Sequence, residues 1–69
     1  MTAKEARAFV LARFPQARYL NLSNAVSGEF HCIDDDYNDR YLARGMRNRE
    51  AAWKQAAIAV QSVEAPNEH

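Results

Sequence analysis

The stretch "CIDDDYNDRYLARG", residues 32–45, carries four aspartates within six residues: Asp34, Asp35, Asp36 and Asp39. Carboxylates at that density suit a divalent cation, an acidic docking surface, or a turn between two strands. An EF-hand calcium loop needs oxygen ligands at alternate positions, a glycine at the sixth and a bidentate glutamate at the twelfth. Counted from Asp34, Asp36 and Asn38 fall correctly, but the sixth position is Asp39 and the twelfth is Gly45, which brings no carboxylate. The spacing therefore predicts no metal site. Aspartate and asparagine tolerate left-handed backbone angles and bond nearby main-chain N–H groups, so "DDYND" reads as a hairpin tip. Carboxylates at a strand end discourage edge pairing, and an acidic knob there suits a basic partner. Arg40 and Arg44 stand close enough in sequence to relieve its self-repulsion.

Catalytic chemistry finds little to work with. His31 and Cys32 are adjacent, but neighbours on a strand point to opposite faces and cannot form a nucleophile–base pair. The other histidine, His69, belongs to the tail, and one cysteine gives no metal-ligand spacing. Carboxylate pairs would need burial to separate their pKa values, and these read as exposed. The sequence predicts neither an enzyme nor a cofactor.

Helices and strands must position whatever remains. Thr2 and Glu5 have capping-box spacing, and Ala6, Phe9, Val10 and Phe14 make an apolar stripe that Pro15 ends. "RYLNLSN" alternates Tyr19, Asn21 and Ser23 against Leu20 and Leu22, the period of a half-buried strand. "NAVSG" is a turn, "EFHCID" a second strand with Phe30 and Cys32 opposed to His31 and Ile33, and "RYLARG" a third ending at Gly45. Asn48 caps a final helix in which Ala52, Trp53, Ala56, Ala57, Val60 and Val63 face inward and Ile58 outward. The expected fold is α+β, α-β-β-β-α, with a three-stranded antiparallel sheet and both helices on one face. Residues 1–63 form one small domain, and the polar segment 64–69 frays.

Composition limits the setting. The chain has 69 residues, one cysteine and no net charge. An intramolecular disulfide is impossible, which favours a reducing compartment. No apolar run spans a bilayer, and charges interrupt the amino terminus, so a cytoplasmic protein without a membrane partner is expected. Charge falls in blocks: basic at Lys4, Arg7, Arg13 and Arg18, acidic from Glu29 to Asp39, and basic again at Arg40, Arg44, Arg47, Arg49 and Lys54. Such balance does not suit a sequence-blind nucleic-acid binder.

The element order resembles the double-stranded-RNA-binding domain. In that family the second helix opens with a capping residue, then lysines that meet phosphates, then alanines that pack on the sheet. Asn48, Arg49 and Ala52, Ala56 and Ala57 match those positions, whereas Glu50 and Trp53 stand where further lysines are expected. The Gly-Pro loop of that family is missing, so this resemblance implies topology. The chain also resembles small proteins encoded by bacteriophages and prophages, through "ARFPQA", short strands and a closing "G…AAWKQAA" helix. That likeness implies a non-catalytic protein that binds a host or phage protein.

Together these features predict an interaction module. Burying Leu20 and Leu22 would present Tyr19 and Asn21 on an uncovered sheet face, and burying Leu42 would add Tyr41, where tyrosines make good interface anchors, for a partner or a homodimer. The opposite arrangement, with the tyrosines turned into the core, fits the same alternation. The rival function is duplex RNA or DNA binding through Arg47, Arg49 and Lys54.

Overall fold

The computed structural model describes residues 1–35 and 41–64. Elements follow in the order α1 (Ala3–Arg13), β1 (Arg18–Asn21), β2 (His31–Asp34), β3 (Tyr41–Met46) and α2 (Arg49–Glu64). This is the α-β-β-β-α arrangement of an α+β domain, with helices packed against a three-stranded antiparallel sheet of order β1-β2-β3. The expected hairpin-tip residues Asp36, Asp39 and Arg40, and the tail residues 65–69, lie outside the described residues.

The helices start where their caps place them. At α1 the Thr2 hydroxyl accepts from the Glu5 backbone N–H and the Glu5 carboxylate accepts from that of Thr2. At α2 the Asn48 side chain accepts from the Ala51 N–H at 2.7 Å. Ala52, Trp53, Ala56, Ala57 and Val60 bury one face of α2, which runs against all three strands, while Ile58 stays outside. The small alanines let helix and sheet approach closely. Helix α1 packs on α2 and adds Ala6 and Val10 to the same core cluster.

The sheet has the orientation opposite to the one expected from the leucines. Residues directly opposed across strands share a face, and Tyr19 opposes Ile33, which in turn opposes Ala43. Ile33 and Ala43 belong to the core, so Tyr19 lies on the helix-covered side and packs half-buried against that core. Leu20 opposes Cys32 on the other side, and Leu22 beyond it is 45% exposed. The covered face also carries a polar group. On the covered face, Tyr19 Oη reaches Nδ1 of buried His31, whose Nε2 lies 2.6 Å from Glu29 Oε1. Turning the sheet over would leave this pair intact but carry Ile33, on the same face, out of the core.

Strand β3 does not alternate. Between its pairings Tyr41–Asp34, Ala43–Ile33 and Met46–His31, it carries one more residue than β2 at two places. These are β-bulges. The first lets adjacent Leu42 and Ala43 both enter the core. The second contains Gly45 at φ +70°, a left-handed angle that glycine adopts without steric cost. The strand was expected to end there, but it runs on to Met46.

Candidate functional site

Two surfaces bring chemistry together. The first is the sheet face turned away from α2, which keeps Tyr41 of the expected residues but not Tyr19. Because Leu42 is accommodated by a bulge, Tyr41 and Arg44 emerge on this same face although they are three positions apart. The Arg44 guanidinium sits 5.5 Å from the Tyr41 ring centroid and 5.7 Å from that of Phe30. Such stacking holds the cation over apolar surface and retains most of its donors. Phe30 in turn lies over Gly45, where an added Cβ would stand 3.4 Å from the ring. Leu20 in β1, and Leu22 just beyond it with its N–H bonded to the Phe30 carbonyl, extend the patch. Among the described residues Arg44 has no carboxylate partner.

The predicted partner surface is thus redrawn. Tyr41 is 41% exposed and belongs to the patch. Tyr19 does not, since it is committed to His31 on the covered side. Asn21 is exposed at the end of β1 directly across from His31, and its Oδ1 accepts from the Ser23 N–H at 3.0 Å. The acidic knob also contracts. Asp34 is buried within β2, with the Arg18 guanidinium 3.4 Å away, and Asp35 is only 1% exposed. Neither displays its carboxylate as a solvated hairpin tip would.

The second surface is a cleft of about 390 Å³ between the first turns of the two helices, lined by Ala3, Lys4, Arg7, Arg49, Glu50 and Trp53. Arg7 lies over the Trp53 ring at 5.7 Å and Arg49 over the Tyr19 ring at 5.9 Å. Of the residues expected to meet nucleic acid, Arg49 alone lines this cleft. Arg47 precedes the helix, and Lys54 stands about 140° round it from Arg49. Arg49 and Lys54 therefore do not share one face of α2.

Sequence reasoning missed Leu20, Leu22, Phe30 and Arg44 on the sheet and Lys4, Arg7 and Trp53 in the cleft. A signal for the first group existed: a glycine directly after a charged residue inside a strand marks a bulge. None existed for the second, because the pairing of two helices distant in sequence sets it. Among the described residues no group of three or more histidine, cysteine or carboxylate side chains is placed to hold a metal ion. No described helix is long and apolar enough to cross a membrane. No protein-family model, curated protein or solved structure matches this chain.

Proposed function

We propose that this protein is a small non-catalytic interaction module that docks a protein partner on the sheet face turned away from α2. The observation that carries the reading is the placement of Arg44 over Phe30 and Tyr41 without a carboxylate partner among the described residues. Arginine and tyrosine on apolar ground are the residue types that dominate interface energetics. Arg44 keeps its charge and its fork of donors, so the partner segment presents a carboxylate flanked by apolar side chains that settle on Leu20, Leu22 and Phe30. The likeness to phage-encoded proteins suggests a host or phage protein in that role, in the cytoplasm.

The test is a paired capture experiment. Immobilised wild type and a Tyr41→Ala, Arg44→Ala double variant are compared against the same cell lysate, and any captured protein is then titrated in purified form. The reading expects a partner that binds wild type and loses at least about tenfold in affinity for the variant. Equal binding by both proteins would remove this face from consideration. Self-association that the double variant abolishes would identify the partner as a second copy of the chain.

A further inference from the structure

The cleft between the helices does not belong to the sheet surface and calls for its own account. Its walls hold three cationic side chains, Lys4, Arg7 and Arg49, against one carboxylate, Glu50. Among the described residues none of these four forms an ion pair. Like charges gathered in one concavity repel each other, and the low-dielectric wall of Trp53 focuses their field into it. The positive charge there is chiefly that of side chains. Both helix ends are already capped, α1 by the Thr2–Glu5 box and α2 by Asn48.

We propose that this cleft is a binding site for a compact phosphate-bearing anion of the pyrophosphate or phosphomonoester class. Two arginines and a lysine on facing walls match such a ligand. Each guanidinium offers parallel donors to two oxygens, and the ammonium adds a movable point charge. Their stacking on Trp53 and Tyr19 holds both arginines near their positions before binding, which lowers the ordering cost. The volume, about 390 Å³, lies at the small end of ligand clefts, which run from roughly 300 to 1,000 Å³. A stacked nucleobase is disfavoured, because Trp53 is only 5% exposed and its ring already carries Arg7. The anion is recognised by charge and shape alone. This site is independent of the sheet face, and its test uses different variants.

Full-length protein labelled with ¹⁵N is titrated with sodium pyrophosphate and, separately, inorganic phosphate, each at constant ionic strength set with sodium chloride. The proposal expects saturable shifts at the Lys4, Arg7 and Arg49 amides and at the Trp53 indole N–H. Arg7→Gln and Arg49→Gln should each weaken binding about tenfold, while Arg13→Gln, at the far end of α1, leaves it unchanged. Unperturbed amide shifts elsewhere in the variants establish that they fold. Shifts that track ionic strength alone, or that spread equally over Arg13, Arg44 and Arg47, would overturn it. Tighter binding of a short RNA duplex at matched phosphate concentration, with shifts reaching Arg47 and Lys54, would overturn it in favour of nucleic acid.

Discussion

Single side chains in this protein do work that their sequence context conceals. Tyr19 and Glu29 hold the two ring nitrogens of His31, one from the covered face of the sheet and the other from the strand approach. In the neutral ring the carboxylate can only accept, so Nε2 donates to Glu29 and Nδ1 accepts from the Tyr19 hydroxyl. Tyr19→Phe keeps the ring but orphans a nitrogen of a buried residue. The expected loss is about 1–3 kcal/mol, read in urea unfolding as a lower midpoint at an unchanged slope. Glu5 responds to acid. The Thr2 backbone N–H bonded to its carboxylate holds its pKa below the ordinary 4.5. A carboxyl depressed in the folded state stabilises above its unfolded value and loses that contribution as pH falls through the folded one. The stability gap between wild type and Glu5→Gln should therefore close as pH drops below 4.5, in parallel thermal melts across that range.

The secondary-structure elements show why part of the fold was legible and part was not. Both helices declare themselves: Thr2 with Glu5, Asn48 before an apolar stripe, and Pro15 as a stop are local signals acting within a few residues. Alternation in β1 correctly separates Tyr19 and Asn21 from Leu20 and Leu22, but period two cannot say which set faces inward. Apolar content pointed to the leucines; the place of Tyr19 opposite the core residues Ile33 and Ala43, remote in sequence, points the other way. In β3 the bulges defeat alternation outright. They move Ala43 inward beside Leu42 and put Arg44 next to Tyr41, so alternation alone could not assemble the patch. Gly45 controls this geometry. Gly45→Ala must strain at φ +70° and should cost about 1–2 kcal/mol. By displacing Arg44 from the Phe30 and Tyr41 rings it should also weaken partner binding, measurable by calorimetric titration. Asn48→Ala, which removes only the α2 cap, should cost about 1 kcal/mol and leave that binding intact.

At the scale of the whole molecule, one layer of helices on one sheet face divides the labour. The covered face supplies the core, in which alanines on α2 allow close packing and Trp53 fills the larger space beside α1. The other face is free of described helices and keeps its central strand buried through Cys32 and Asp34, while Leu22, Tyr41 and Arg44 stand at the surface. A chain of this size has little core to spare, so stability and binding should be separable only at such surface positions. Tyr41→Ala with Arg44→Ala is accordingly expected to change unfolding free energy by no more than about 0.5 kcal/mol, while abolishing recognition. The most direct test of that central claim is a ¹⁵N chemical-shift map of the protein titrated with its captured partner. The account predicts shifts concentrated at Leu20, Leu22, Phe30, Tyr41 and Arg44. Shifts confined to the outer side of α2 around Lys54 and Ile58, with the sheet face silent, would contradict it.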